Sequence, residues 1–384
     1  MIIGATYALI GPDLRLCKDV LVYIESGKIS RLLIGGKRSE AHVFYEEAVL
    51  VPGFINMHTH IGDAIAREKA YGLTIFESVA RPDSIKFKIL SETPPEKLVD
   101  GMVTALKEMA ARGITTFFDF REGGVLGVKL LRDAISKFPL NGFAMGRPDG
   151  CSVEDVLEIS DGLGLSSLNA YRNEELISFA EKTKEMNKYL AFHCSETIEQ
   201  REESIKKFGV SDISRALELN LDFDFVIHLN YAEDEELALL AQKNKLITFC
   251  PRANLYLGLK PPPIADAIEL SIPFALGTDN IMLNSPDIFR ELETAVRLSR
   301  IQGATPDPKQ LLSAVTATPS KALKLKTGII DIGYQADFFV FDLAKPNVAF
   351  VGDIYKTIVL RGSEMNVIQT YIAGKPVLSQ NEPP

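Results

Sequence analysis

The chain has 384 residues, of which 46% are hydrophobic and 24% charged, and its formal net charge is −9. This is ordinary globular composition, and the length permits one large domain with a smaller one, or an α/β barrel with additions. The acidic balance argues against a nucleic-acid partner, because binding to phosphates requires a basic face. No apolar run reaches about 20 residues, so we expect no membrane-spanning segment.

Four cysteines are scattered along the chain, and no two of them form a CxxC pair. The first residues lack the basic start and the long apolar core of a secretion signal. Both observations predict a cytoplasmic protein whose thiols are reduced.

The two ends of the chain consist of short apolar bursts separated by turns. Near the C-terminus these bursts cover residues 338–341, 358–360 and 367–372. We interpret them as strands and predict that residues 1–50 and 330–384 join into one small composite β-domain, a β-sandwich built from both termini. Residues 51–329 would then form the other domain.

Apolar strands and helical segments alternate through the middle of the chain. The predicted strands cover residues 51–60, 114–119, 140–146, 162–168, 189–193, 225–228, 246–250 and 272–279. Strands followed by helical material in this way are the pattern of a (β/α)8 TIM barrel, so we predict the α/β class with the barrel over residues 51–329. Thr93-Pro-Pro-Glu96 predicts a capping box at the start of the first long helix.

Two histidines one residue apart, His58 and His60, end the first predicted strand. Side chains at positions i and i+2 of a strand point to the same face, so both imidazoles would aim at one point. Pairs of this kind suit zinc and similar divalent metals. The alternative is a pair of exposed loop histidines without a chemical role.

Further candidate ligands fall at the carboxyl ends of other predicted strands, the face that carries the active site of such barrels. His193 ends the fifth strand, His228 the sixth and Asp279 the eighth. His58, His60, His193 and Asp279 would surround a catalytic divalent metal with three nitrogens and one oxygen and leave a position for water. Considered alone, His193 could be a core histidine, and Asp279 could be a helix N-cap or a turn residue.

A long segment, residues 61–92, connects the histidine-bearing strand to the first long helix. A connection of this length in a compact domain is usually functional, so we predict a lid over the site. The alternative is a solvated excursion that contains a short helix.

Three arginines follow predicted strands at the same mouth of the barrel: Arg121, Arg147 and Arg252. The planar guanidinium suits carboxylate and phosphate, which suggests substrate-binding residues and an anionic group on the substrate. The alternative is that each arginine pairs with a nearby acid, such as Glu122 or Asp149, and only shapes the rim.

Together these segments resemble the amidohydrolase superfamily, and in particular its mononuclear deaminase and chlorohydrolase branch. The resemblance covers nearly the whole chain and rests on residues 51–60, His193-Cys-Ser-Glu196, His228, Cys250-Pro-Arg-Ala-Asn254 and Leu276-Gly-Thr-Asp279-Asn280. It implies that His58, His60, His193 and Asp279 bind the metal. It also implies that His228 polarises the water or the substrate, that Glu196 is the proton shuttle, and that Asp279 can accept the proton of the water.

The resemblance also bears on the metal. Binuclear members of the superfamily use a carboxylated lysine at the end of the fourth strand, and residues 161–170 contain no lysine. This difference favours one divalent metal, with Zn²⁺ as the default and Fe²⁺ or Mn²⁺ as alternatives.

The leading function is therefore a metal-dependent hydrolase of carbon–nitrogen bonds, an aminohydrolase that attacks an amino-substituted heterocycle with metal-activated water and releases ammonia. A chlorohydrolase or a cyclic-amide hydrolase would use the same site. A non-catalytic relative would be expected to have lost ligands. The resemblance implies a small-molecule substrate, and a homodimer is common among relatives.

Overall fold

The computed structural model describes residues 1–80, 83–350 and 352–378. In chain order, the strands within these ranges are β1 (Ile2–Ile10), β2 (Arg15–Glu25), β3 (Lys28–Ile34), β4 (Val43–Pro52), β5 (Phe54–His60), β6 (Ile114–Arg121), β7 (Asn141–Gly146), β8 (Gly162–Leu165), β9 (Tyr189–Cys194), β10 (Phe225–His228), β11 (Leu246–Phe249), β12 (Phe274–Leu276), β13 (Asp279–Asn280), β14 (Phe338–Asp342), β15 (Val367–Ile372) and β16 (Lys375–Pro376).

The α-helices of the same ranges are α1 (Ile75–Ser78), α2 (Ile85–Glu92), α3 (Pro95–Ala111), α4 (Gly124–Lys137), α5 (Val153–Ile159), α6 (Asn173–Glu185), α7 (Ile198–Phe208), α8 (Asp212–Glu218), α9 (Asp234–Gln242), α10 (Pro251–Tyr256), α11 (Ile264–Glu269), α12 (Ile288–Ile301), α13 (Pro308–Ala314), α14 (Ala317–Ala322) and α15 (Ile354–Arg361). None of these described helices combines the length and the apolar character that crossing a membrane would require.

Both ends of the chain contribute to one seven-stranded sheet, whose order is β16-β15-β14-β4-β1-β2-β3. The hairpin of β2 and β3 also bonds to the segment before β14, where Ile29 N–H donates to the Tyr334 carbonyl (2.9 Å) and Ala336 N–H to the Gly27 carbonyl (2.9 Å). The sheet therefore curls over a buried cluster of its own, to which strands from both ends contribute. The strands of the predicted β-sandwich thus form one continuous sheet. Gly53 alone separates β4 of this sheet from β5 of the barrel.

The central part of the chain forms a closed parallel barrel. Strands β5 to β11 each pair with the next strand along the chain. The eighth strand is broken at Gly277 and Thr278, so that β12 pairs with β11 and β13 pairs with β5. This break closes the sheet on itself, and the helices that follow the strands complete the predicted (β/α)8 architecture.

Two local predictions are wrong. Residues 358–360, predicted as a strand, lie within α15, which starts where the Asp353 side chain accepts a hydrogen bond from Lys356 N–H (3.0 Å). Three adjacent apolar residues are too few to distinguish a helix from a strand by periodicity. Thr93 does not form the predicted capping box, because its hydroxyl donates to the Ile89 carbonyl (2.7 Å) and so ends α2.

One buried aromatic cluster fastens the end sheet to the barrel. The ring of Phe339 in β14 lies 4.8 Å from that of Phe54 in β5 and 6.0 Å from that of Phe289 in α12, as measured between centroids. Phe54 and Phe339 are fully buried. Edge-on contacts between buried rings add to the free energy already gained by removing their apolar area from water.

We therefore expect Phe339→Ala to lower the free energy of unfolding by about 3–5 kcal/mol, because it leaves a cavity where the sheet meets the barrel. The control is Ile332→Ala, since the Ile332 side chain is exposed and should lose less than about 1 kcal/mol. Guanidinium unfolding of both variants measures the difference. Equal losses in the two variants would show that the cluster does not hold the sheet.

Candidate metal centre

Four histidines and one aspartate meet at the carboxyl ends of the barrel strands. His58 and His60 come from β5, His193 from β9, His228 from β10 and Asp279 from β13. All five residues are buried. One ligand atom from each of His58, His60 and His193 lies within 4.8 Å of the other two, and the same holds for His58, His228 and Asp279. The structure thus brings together every metal ligand that the sequence predicts.

Neighbouring strands fix the rings of two of these histidines. His60 Nδ1 lies 2.8 Å from the Phe120 carbonyl in β6, and His193 Nδ1 lies 2.9 Å from the Leu165 carbonyl in β8. Because a carbonyl oxygen can only accept, each Nδ1 carries the hydrogen, and each Nε2 keeps a lone pair. Hydrogen bonds of this kind orient histidine ligands in metal sites.

The break in the eighth strand delivers Asp279 to the histidines. A side chain on Gly277 would place its Cβ 2.7 Å from the Cβ of His58, so only glycine fits there. Beyond it, Thr278 N–H donates to Asn56 Oδ1 (3.0 Å), and Asn56 Nδ2 donates to Thr278 Oγ1 (2.7 Å). Asp279 itself has a φ of +60°, a strained conformation of the kind that clusters at functional sites.

This geometry sets the Asp279 carboxylate beside the histidine pair. Its Oδ1 lies 3.3 Å from His58 Nε2 and 3.6 Å from His60 Nε2. Burial alone would raise the pKa of Asp279, but the His58 side chain, 3.3 Å away, and the other nearby histidines lower it. The aspartate therefore offers an ionised oxygen at neutral pH.

Burial keeps the imidazoles of His58 and His193 uncharged. It lowers the pKa of His58 to about 3 and the pKa of His193 well below its usual value. Neither ring nitrogen of His58 has a hydrogen-bond partner among the described residues. A buried nitrogen without a partner costs free energy, and a cation bound at the one nitrogen that has a lone pair would remove the cost there. Neutral imidazoles and one carboxylate are a donor set that suits a divalent transition metal.

The fourth barrel strand lies where the sequence predicts it, and its residues Gly162-Leu163-Gly164-Leu165 include no lysine. The strand therefore offers no side chain that could become a carboxylated lysine bridge. The donor set as described accordingly suits one metal rather than two.

Glu196 and His228 lie next to the ligand group, in a cavity with a volume of about 530 Å³. Glu196 Oε1 lies 3.5 Å from His228 Nε2. Burial raises the pKa of Glu196. On its other side, His228 Nδ1 lies 3.4 Å from Asn254 Nδ2. If the amide nitrogen donates to Nδ1, the hydrogen of the neutral ring is on Nε2, facing Glu196.

The segment predicted as a lid forms one wall of this cavity. The segment contains α1 and α2, and residues 81 and 82 between them lie outside the described ranges. Its cavity-lining side chains are mostly apolar, and they are Ile75, Phe76, Val79, Ala80, Lys86 and Phe87. The lid prediction thus gains support from the placement of these residues.

The predicted arginines separate into two groups. Arg147 lines the cavity. Arg121 is buried behind the cavity wall, where it contacts Glu122 and lies 3.5 Å from Asp119. Arg252 donates to the Ser285 carbonyl (3.0 Å) and lies 3.4 Å from Glu291. Internal acids thus hold Arg121 and Arg252, as in the rim alternative, and their placement does not support substrate contact.

Two residues of the site were not among those predicted. Glu122 Oε1 lies 2.9 Å from His60 Nδ1, and the ammonium of Lys86 contacts the same oxygen. In the sequence, Glu122 stands at the end of the second strand, where it was considered only as a partner for arginine. Lys86 has no comparable signal, because several other charged residues lie in the same long segment.

Arg252 forms an ion pair with the buried carboxyl group of Glu291. Burial raises the pKa of Glu291 to about 8, although Arg252 opposes this change. The folded protein thus holds the Glu291 proton more tightly than the unfolded chain, so the contribution to stability is lost as pH rises from about 5 through 8.

We expect Glu291→Gln to remove this pH dependence. Relative to the variant, the unmodified protein should lose up to about 1.4 kcal/mol of unfolding free energy per pH unit across that interval. Guanidinium unfolding between pH 5 and pH 9 measures the effect. Glu293→Gln, on a more exposed part of α12, is the control and should keep the original slope. Parallel curves for the unmodified protein and Glu291→Gln would contradict the assignment.

Comparison with known proteins agrees with this geometry. The sequence profile of the amidohydrolase family matches residues 49–377. An uncharacterized protein of Methanocaldococcus jannaschii is 33% identical over 372 residues, which cover 94% of this chain and 95% of that protein. A 5-methylthioadenosine/S-adenosylhomocysteine deaminase of Thermococcus sibiricus is 27% identical over 399 residues, which cover 97% of this chain and 92% of that protein.

The same fold occurs among solved structures. The crystal structure of a zinc-bound adenosine deaminase from Xanthomonas campestris matches with a TM-score of 0.89 at 21% identity, over 99% of this chain and 93% of that chain. At this level of identity the match shows a shared fold. The family profile spans most of the chain. The barrel of this chain brings together the histidines and the aspartate that could hold a metal ion. The chain belongs to the amidohydrolase family, and it is a hydrolase of carbon–nitrogen bonds, as its motifs predict.

Proposed function

We propose that the protein is a metal-dependent aminohydrolase, which replaces the amino group of a small heterocycle with oxygen and releases ammonia. The observation that carries this proposal is the buried donor group of His58, His60, His193 and Asp279 beside a glutamate whose pKa is raised. The similarity to a deaminase of Thermococcus sibiricus over most of both chains also supports it.

His58, His60, His193 and Asp279 would hold the metal, for which zinc is the default and iron or manganese are alternatives. When bound, a divalent metal at such a site supplies water whose pKa is lowered to about 7. His58 supports this role, because the described protein groups leave the lone pair of its neutral ring without a partner.

Glu196 is the candidate proton shuttle. Its raised pKa favours the protonated form, which can give a proton to a ring nitrogen and, after taking one from the added water, give one to the departing amine. The backbone of Glu196 is held on both sides, because its N–H donates to Gln200 Oε1 (3.0 Å) and its carbonyl accepts from Asn230 Nδ2 (3.0 Å). Water adds its oxygen to the ring carbon, the carbon–nitrogen bond breaks, and ammonia leaves.

Two further residues have distinct proton roles. Asp279 is ionised and can accept a proton from the attacking water. His228 can donate from Nε2 to the water or to the substrate, provided that Asn254 donates to its Nδ1. Chloride leaves as an anion and needs no proton, whereas ammonia does, so the protonatable Glu196 favours deamination over dechlorination.

The cavity is large enough for a small heterocyclic substrate. Its volume is about 530 Å³, and the apolar side chains of Ile75, Phe76 and Val79 line the lid side. Arg147 also lines the cavity, and an anionic substituent on the substrate stays a prediction that now depends on this arginine alone. The substrate panel therefore includes purine nucleosides, free purines, pyrimidines, pterins and triazines, some of them with carboxylate or phosphate groups.

The test of the proposed function is ammonia release from this panel by zinc-loaded protein. Activity should vanish after chelation and return with added zinc. Glu196→Gln should lower kcat by about 10²–10⁴-fold, because it removes the proton donor but keeps the shape. Glu202→Gln, exposed on the following helix α7, is the control. Full activity in metal-depleted protein, or in Glu196→Gln, would contradict the proposal.

The turn that carries Glu196 provides a second test. Ser195, whose φ is +45°, donates its N–H to Asp212 Oδ2 (2.6 Å) and its hydroxyl to Asp212 Oδ1 (2.5 Å). Asp212 is fully buried in α8. These bonds hold a strained backbone residue directly between Cys194 and Glu196, so we infer that Asp212 positions Glu196.

Asp212→Asn should lower kcat by between about 10- and 100-fold with little change in KM, because a displaced proton donor impairs the chemical step more than binding. Zinc content should stay at the level of the unmodified protein. Asp234→Asn, exposed at the start of α9, is the control. An Asp212→Asn protein with normal kcat, or one in which only KM changes, would show that the bond does not serve Glu196.

A further inference from the structure

Lys86 occupies an unusual place for a lysine. It belongs to α2, in the wall that the lid segment forms over the cavity, and it is the only residue of that helix that is buried. Only 3% of its surface is exposed. Lysine is almost never buried to this extent unless it is paired. The other residues of α2 are half-buried or exposed. The most deeply buried side chain of this helix is therefore charged rather than apolar.

The partners of Lys86 lead directly to the predicted metal ligands. Its ammonium contacts Glu122 Oε1 and lies 3.9 Å from Asp63 Oδ2. The same Glu122 oxygen lies 2.9 Å from His60 Nδ1. The other carboxylate oxygen of Glu122 contacts Arg121. One carboxylate oxygen is thus shared between a lysine of the lid and a histidine of the candidate metal centre.

Glu122 is therefore held from two sides. Arg121 comes from β6 in the barrel wall and stays in place whatever the lid does. Lys86 comes from α2, in the lid segment that lines the cavity. His60 Nδ1 donates to the Phe120 carbonyl (2.8 Å), and the negative charge of Glu122 beside the same nitrogen makes the ring a better metal ligand.

We propose that Lys86 is a positioning residue that joins the lid to the metal centre. When α2 lies on the cavity, the lysine ammonium fixes Glu122, and Glu122 keeps its negative charge beside Nδ1 of His60. Closure of the lid and completion of the metal ligand set are then one event. By reciprocity, a bound metal holds α2 in place, because two coupled equilibria influence each other equally. The inference rests on the proposed function only in that His60 binds the metal.

A purely structural role makes a different prediction. If Lys86 only neutralised Glu122, its loss would lower the stability of the whole protein, and the lid would still respond to the metal. The two roles separate in an experiment that follows the lid itself, independently of activity.

The experiment measures hydrogen exchange of the α2 amides by mass spectrometry, with zinc bound and after zinc removal. In the unmodified protein, zinc should slow the exchange of α2. In Lys86→Met this effect of zinc should disappear, and the variant should lose zinc to a chelator about 10- to 100-fold faster. Lys88→Met is the matched control, because Lys88 is exposed on the same helix, and it should behave as the unmodified protein does. The amides of β14 report whether the variants are folded.

Retention of zinc and of zinc-dependent protection by Lys86→Met would overturn the inference, and so would an unmodified protein that binds zinc without any change in α2. Should Lys86→Met not fold, Lys86→Gln replaces it, since the amide keeps most of the volume but not the charge, and its zinc loss must also be faster. A protein that binds no zinc, or releases no ammonia, would instead contradict the proposed function. Zinc binding and ammonia release with an unresponsive lid would contradict only the role of Lys86.

Discussion

The burial of uncharged imidazole nitrogens around one carboxylate is the constraint on which the rest of this structure depends. His58 has two buried ring nitrogens and no hydrogen-bond partner for either among the described residues. A folded protein rarely leaves such groups unsatisfied, because each one loses its bonds to water and gains nothing in return. A neutral ring has one lone pair, and a cation bound there, with Asp279 as the anionic ligand, removes the cost at that nitrogen and also accounts for the approach of distant strands to one point.

The geometry of the barrel strands brings these side chains together. Parallel strands end at the same edge, so side chains at strand ends lie close although they are far apart in sequence. Carbonyls of the adjacent strands set the tautomers of His60 and His193. The broken eighth strand, with Gly277 against His58, brings in the carboxylate. A further shell of charged side chains, Glu122 and Lys86 among them, then connects the ligands to the lid.

The metal ligands and the barrel were predictable from the sequence, because both follow from the pattern of strands. Strand alternation aims His58 and His60 at one point, and the positions of His193, His228 and Asp279 at strand ends do not require knowledge of the contacts between strands. The barrel itself followed from the repeated alternation of strand and helix. The helix at residues 354–361 did not, because its short apolar run suits either structure.

The roles of the charged residues were harder to predict, since they depend on which charges share a buried space. Arg121 and Arg252 follow strands just as Arg147 does, yet only Arg147 lines the cavity, because Glu122 and Glu291 hold the other two. Lys86 lies in a long connecting segment, and the sequence of this segment has no periodic pattern that would predict where the side chain points. Only the folded chain shows that it meets Glu122, and through it His60.

The central claim is that this chain gathers one divalent cation between His58, His60, His193 and Asp279. Anomalous diffraction at the zinc absorption edge, from crystals of zinc-loaded protein, tests it most directly. We expect a single strong anomalous peak about 2.0–2.2 Å from the nitrogens of the three histidines and an oxygen of Asp279. A peak elsewhere in the molecule, two peaks in the barrel, or none at these residues would contradict it.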